Sequence, residues 1–301
     1  MFVIRHKIFF FALSGILVLA SLFAIGYWGL RPGVDFTGGT ILQVRYAEIT
    51  PAPEELEMLL TEAGFEVSNV RTGDNGLIVR METLEEGDRD TIQGLLASGA
   101  TTSSATIERL SSVGPSVGEE LRRKTIVAIV LVVIMIILYI AFTFRKVSKP
   151  ISSWTYGFVA IVTLLHDIII PAGVFAVLGY FSGLEADTLF VVALLTILGL
   201  SVNDTIVVFD RIRENLRIHQ ERNTKEEFSL TVGKSLEQTY VRSFNTSFTV
   251  ILVLLVLFFL GGPTIHSFML TLLVGQVAGT YSSIFIASPL LVAIANQKKV
   301  A

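Results

Sequence analysis

The sequence predicts a membrane α-helical bundle of six transmembrane helices, with a small α+β ferredoxin-like domain outside the membrane between spans one and two. Three observations carry this. Only 16% of the 301 residues are charged and 52% are hydrophobic, whereas a soluble domain is roughly 25% charged. Apolar stretches recur six times, near 8–28, 125–144, 156–178, 187–209, 243–262 and 267–290, each close to the ~20 residues that a spanning helix needs. Residues 31–120 form the one sizeable polar region, and strand and helix patterns alternate along it.

The first stretch follows Arg5-His6-Lys7. It exceeds the usual apolar core of a signal peptide and lacks a convincing small-residue cleavage site, so it reads as a retained anchor. In the domain that follows, "TILQVRYA" alternates as a strand does. "PAPEELEMLLTEAG" reads as a helix with Pro near its start and Gly64 at its end. "EVSNVR" and "GLIVRME" are strands around "TGDNG", which has the Asp, Asn and Gly chemistry of turns. "GDRDTIQGLLAS" is a second helix and "ATIERLSSV" a last strand. The order β-α-β-β-α-β is the split βαβ, ferredoxin-like arrangement. The domain holds 16 acidic and 6 basic residues, which suits a solvated surface or, alternatively, a surface that binds an unfolded chain. The resulting division is 1–30, 31–120 and 121–301, with a loop at about 210–242.

Lys and Arg in short loops set orientation. Arg5, Lys7, Arg145, Lys146, Lys149, Lys298 and Lys299 fall on one side, joined by seven basic residues in 210–242. That side is expected to be cytoplasmic, with both termini on it. Arg122-Arg123-Lys124 falls on the other side, behind a long exported region of the kind that counts little in the rule. The 210–242 segment has Leu216, Phe228, Leu230 and Leu236 as its apolar points, and is expected to lie as an amphipathic helix on the lipid surface.

Ionisable residues inside spanning helices are costly and mark functional candidates. Span four carries Asn203 and Asp204, with Asp210 at its boundary. Asn203 and Asp210 are seven apart and share a face; Asp204 is turned by about 100°. Span five opens with Arg242, Asn245, Thr246 and Thr249 at helical spacing, one polar stripe. A carboxylate on span four and the Arg242 guanidinium could meet near the cytoplasmic ends, or each could stand as a boundary group paired locally. Span three holds His166-Asp167, either a proton-relay pair or a packed polar pair. Gly275 and Gly279 on span six form a small-residue face suited to close helix packing.

The chain has no cysteine, so it has no disulfide and no thiolate chemistry. Its four histidines lack ligand spacing, and it has no Gly-rich phosphate loop. No metal, cofactor or nucleic-acid partner is expected. Ser282 and Ser283 have no visible base beside them, so an enzyme is not expected either.

Several stretches together resemble the SecF family. They are "GVDFTGGT" at 33–40 with Asp35, Phe36, Gly38 and Gly39, "SVNDTIVVFDRIREN" at 201–215, "QTYVRSFNTS" at 238–247, "GGPTIHSF" at 261–268 and "GTYSSIFIASPLL" at 279–291. SecF is the smaller subunit of the bacterial SecD–SecF protein-export complex, of the resistance-nodulation-division superfamily. The resemblance implies a multi-pass subunit of the cytoplasmic (inner) membrane, in contact with membrane lipid. It would pair with SecD in a twelve-span unit beside the SecYEG channel. There it would use the proton-motive force to assist late steps of unfolded preprotein export, after the SecA ATPase has pushed. Asp210 then matches the fourth-span aspartate and Arg242 the fifth-span arginine implicated in proton coupling. Asp204 matches a position held by Asp or another polar residue, and His166-Asp167 a polar pair without an assigned role. The competing readings are a scaffold without proton coupling and a small-molecule permease half. Exporters of the latter kind have much larger exported domains.

Overall fold

The computed structural model describes every residue except 1, 48–49, 74–75, 85–86, 100–104, 144–150, 225 and 301. Arg145, Lys146 and Lys149, expected as orientation markers, and Asp74 and Asn75 of the expected turn lie outside the described residues. The chain divides into two compact units, Pro32–Val127 and, together, Met1–Arg31 with Ala128–Ala301.

The smaller unit has the expected element order. The short turn α3 (Val34–Thr37) leads into β1 (Gly39–Tyr46), followed by α4 (Pro53–Glu62), β2 (Val67–Gly73), β3 (Gly76–Met81), α5 (Asp88–Gly99) and β4 (Ala105–Val113). The sheet order is β2-β3-β1-β4. Every neighbouring pair is antiparallel, so β1 and β2 run parallel with β3 inserted between them. Alternation along β1 turns Thr40, Leu42 and Val44 inward. With Leu77, Val79 and Met81 of β3 they pack under Leu56 and Leu60 of α4 and Ile92 and Leu96 of α5.

The paired glycines before β1 are forced by geometry. Gly38 has φ +75° and Gly39 φ +111°, backbone that L side chains rarely adopt. A Cβ on Gly38 would stand 2.8 Å from the Pro115 Cα, and one on Gly39 3.0 Å from the Met81 carbonyl oxygen. Gly38→Val therefore combines backbone strain with a clash that the Pro115 backbone cannot relieve. A loss of about 2 kcal/mol or more is expected, read as a lower unfolding temperature of the purified protein.

The larger unit contains α1 (Phe2–Arg5), α2 (Lys7–Trp28), the end of α6 (Pro115–Thr143), α7 (Ser153–Ser182), α8 (Thr188–Glu221), α9 (Phe228–Leu260) and α10 (Pro263–Ser282). A π-turn, Ser283–Ala287, continues α10 into α11 (Ser288–Val300). Among the described residues, six helices are long and apolar enough to span a membrane. Trp28 at the end of α2, edge-on to Tyr27, meets Tyr180 at 5.8 Å and Phe181 at the end of α7. Such an aromatic cluster suits a membrane–water boundary.

Two expectations change here. The second span begins ten residues early, at Pro115, so Arg122-Arg123-Lys124 lies within α6 rather than before it. The 210–242 segment is not a surface helix. It is the continuation of α8 and the start of α9, which turn over between Glu221 and Phe228. At 1.5 Å per residue these helices run about 50 Å, well beyond the ~30 Å hydrocarbon core. Their extensions form an antiparallel hairpin. Leu216, Phe228 and Leu236 bury against each other with Ile212 and Val232 instead of against lipid, and Leu230 is half-buried.

The hairpin tip is tied by Glu226. Its carboxylate accepts from Lys234 Nζ and from Thr231 Oγ1 at 3.1 Å, and stands 3.1 Å from His219 Nε2. The hydrogen bond from Lys234 holds this carboxyl below its ordinary value of 4.5. A depressed carboxylate stabilises the fold above its unfolded value, and that stability is lost as the pH falls through the folded value. The protection of the tip amides, relative to the exchange of an unfolded chain at the same pH, should thus be steady from neutrality down to about pH 5 and fall below about pH 4. Glu226→Gln should remove that dependence.

Candidate functional site

Each inner helix of the bundle changes character part-way along. One apolar cluster is built on Phe175, Phe190, Ala193, Ile197, Leu254 and Leu272. The other is built on Tyr156, Phe209, Ile212, Val232, Ala287 and Leu291. Between them in sequence, on every one of these helices, come buried polar side chains. They are Thr163, His166 and Asp167 on α7, Ser201, Asp204 and Thr205 on α8, Ser243 and Ser247 on α9, and Ser282 at the end of α10 with Ser283 opening the π-turn. On α8 the spacing i, i+3, i+4 keeps the three polar groups on the buried face.

Asp167 is fully buried. Its Oδ2 accepts from Ser201 Oγ and from Ser282 Oγ, the latter at 2.7 Å. Its Oδ1 lies 2.8 Å from His166 Nδ1. One carboxylate thus joins α7, α8 and α10. Pro171, four residues on, has no N–H to give the Asp167 carbonyl, so the helix ladder is interrupted at this residue. The His166 ring stacks on Tyr281 at 6.2 Å. Tyr281 Oη donates to the Phe10 carbonyl at 3.2 Å and accepts from Ser14 Oγ at 3.4 Å, which ties in α2.

Asp204 is 6% exposed. It accepts from Ser247 Oγ at 2.9 Å, and no cation pairs with it among the described residues. Next to it Thr205 Oγ1 and Ser283 Oγ are 3.0 Å apart. Close helix approach makes these contacts possible. A Cβ on Gly275 would meet Ile197 Cδ1 at 2.1 Å, and one on Gly279 would meet Ser201 Cβ at 3.1 Å. The π-turn begins at Ser283, directly after the Asp167 ligand Ser282. Single π-turns inside α-helices are frequent at functional sites.

The other residues singled out in the sequence lie elsewhere. Asp210 is exposed and pairs with Arg213 Nη2 at 2.9 Å, one turn along its own helix. Arg213 also donates to the Thr143 carbonyl at 3.2 Å. Arg242 is exposed, and its guanidinium makes no hydrogen bond or ion pair among the described residues. Within this chain, then, Asp210 draws its cation from α8 and not from α9. The reason is helical phase: α9 turns Thr239, Ser243 and Ser247 inward, which leaves Arg242, Asn245, Thr246 and Thr249 outward. Asn203 is likewise exposed. Asp35 and Phe36 sit half-buried on α3 of the sheet unit. Of the serines that hold the two buried carboxylates, Ser282 is named in the sequence reading and Ser201 and Ser247 are missed. The available signal is the inward i, i+4 repeat of Ser201 with Thr205 and of Ser243 with Ser247.

Two family models match the chain. "Protein export membrane protein SecD/SecF, C-terminal" covers residues 95–297, and "SecD/SecF GG Motif" covers residues 29–48. The protein translocase subunit SecF of Thermobaculum terrenum is 43% identical over 98% of this chain and 94% of its own. That of Synechocystis is 38% identical over 92% and 89%. Among solved structures, SecDF from Thermus thermophilus aligns with TM-score 0.82 and 34% identity over 97% of this chain. The chain spans only 38% of that SecDF chain. A second SecDF structure, in a super-membrane-facing form, aligns with TM-score 0.67 and 33% identity. With six apolar spans, the paired-glycine motif and near full-length identity to these subunits, the chain belongs to the SecF family of membrane protein translocase subunits.

Proposed function

We propose that the chain is one half of a proton-driven protein-export unit, completed by a SecD-type half, and that Asp204 is the carboxylate that exchanges the proton. The observation that carries this is the setting of Asp204. It sits inside a span, between two apolar clusters, with a hydroxyl partner and no cation among the described residues. Such a carboxylate takes and gives up a proton without breaking an ion pair, and intramembrane carboxylates of this kind mark proton pathways. Asp210, exposed and paired with Arg213, is the weaker candidate.

The need for a second half is supported by the outward stripe of Arg242, Asn245, Thr246 and Thr249 with Asn203. Polar faces turned to lipid are unfavourable. The chain matches about 37% of the length of a fused SecDF relative, which supports a SecD-type half as the partner. Arg242 then belongs to the interface between halves, where a carboxylate or carbonyl of the partner would meet it. By the distribution of Arg5, Lys7, Arg211, Arg213, Arg217 and Arg222, both termini and the α8–α9 hairpin are cytoplasmic and the sheet domain is exported. There it would act on the emerging preprotein beside the SecYEG channel, after SecA. The chain works by proton exchange and movement.

The test is pulse-chase export of a secreted reporter in cells whose only copy is this chain with its SecD half. Export should exceed that of cells lacking the chain, and an uncoupler should remove the excess. An excess that survives the uncoupler would leave a scaffold without proton coupling.

A further inference from the structure

We propose that His166 is a second proton-carrying group, taking its proton at Nε2, and that Asp167 positions it. This rests on the proton-coupling reading of the bundle. His166 is 5% exposed, and its Nε2 is a buried atom without a hydrogen-bond partner among the described residues. Its Nδ1 faces Asp167 Oδ1 at 2.8 Å. A neutral imidazole donates from one nitrogen and accepts at the other. With Nδ1–H given to the carboxylate, Nε2 presents a bare lone pair. Buried polar atoms are nearly always satisfied, so an orphan lone pair beside a built carboxylate asks for a chemical reason. A proton supplies one. On arrival it bonds to the Nε2 lone pair and yields an imidazolium, and the Nδ1–H bond to Asp167 is kept. On departure the lone pair is restored.

The surroundings are built to hold the carboxylate still while that happens. Asp167 has hydroxyl donors from Ser201 on α8 and Ser282 on α10, and an ionised carboxylate is an acceptor only. The titratable groups that face the pair are Asp204 from α8 and Tyr281 from α10; α2 contributes only Ser14. Asp204 and Asp167 lie near enough for their charges to repel. A proton on His166, next to Asp167, would partly offset the Asp167 charge that faces Asp204. The movable parts are at hand: Ser282 lies at the mouth of the π-turn, and Pro171 one turn beyond Asp167.

The experiment is nitrogen NMR of the full chain with its SecD half in lipid discs, carrying labelled histidine, across a pH titration. The four rings are His6, His166, His219 and His266, and His166→Gln identifies the signal by its loss. The expected result is that the His166 Nε2 resonance moves from the unprotonated to the protonated position while Nδ1 stays protonated throughout. Asp167→Asn should displace that transition. Ser201→Ala, which removes one donor and keeps the charge, should displace it too, and it serves if Asp167→Asn fails to fold. In the export assay, His166→Asn should keep assembly, since its amide nitrogen stands where Nδ1 does and can still donate to Asp167, and lose the uncoupler-sensitive part of the rate. A His166 ring that holds one neutral form across the titration overturns the proposal. So does a His166→Asn chain with full uncoupler-sensitive export. Loss of proton coupling as a whole would instead show as wild-type export indifferent to the uncoupler, whatever the NMR signal does.

Discussion

Asp204→Asn should leave the chain folded and assembled with its SecD half, yet reduce export to the rate of cells that lack the chain. Asparagine keeps the size of the side chain and still accepts from Ser247 Oγ, which stands 2.9 Å from the Asp204 carboxylate. What it removes is the capacity to carry a proton. The loss should appear with membrane level and co-purification unchanged, and the uncoupler should have no further effect. Asp210→Asn should behave differently. That carboxylate is exposed and has an i, i+3 partner in Arg213, and exposed pairs of this kind contribute only about 0–1 kcal/mol. Export should stay near normal. Full export in Asp204→Asn, with loss in Asp210→Asn, would reverse the assignment.

The largest effect on stability is expected at Gly173, where α7 meets α2. A Cβ there would stand 2.3 Å from the Ser21 Cβ and 2.5 Å from its Cα. The obstacle is partly backbone, so no rotamer change relieves it. Gly173→Leu must push the first span away from the third, at a cost of about 3 kcal/mol. It should lower the unfolding temperature in detergent and make the first span accessible to protease. Ser21→Gly should restore part of the loss in Gly173→Leu, because it clears the side-chain part of the clash. A double variant no more stable than Gly173→Leu alone would show that the two helices do not pack at this point.

Much of this was legible in the residues. The sheet unit could be read strand by strand because turn chemistry and alternation agreed: Leu42 and Val44 point inward as the pattern of β1 requires. The spans were legible from length and composition. Their ends were less so, because α8 and α9 continue as helix past the lipid. Periodicity at Leu216, Phe228 and Leu236 shows that a face is buried but not what covers it. The candidate site was half legible. Carboxylates inside a span draw attention by type, and both Asp167 and Asp204 are in the polar layer. Which polar stripe of α9 faces inward depends on packing alone. The stripe with the charge, through Arg242, looked the more functional, but the small hydroxyls of Ser243 and Ser247 fit between helices and the guanidinium does not. The π-turn at Ser283 has no sequence signature that could have been read.

The central claim is that Asp204 carries a proton inside the bundle. Infrared difference spectroscopy of the assembled unit in lipid, between high and low pH, reads this directly through the carboxyl C=O band. The account predicts a band that appears on acidification, persists in Asp210→Asn and vanishes in Asp204→Asn. A spectrum unchanged by Asp204→Asn would contradict it.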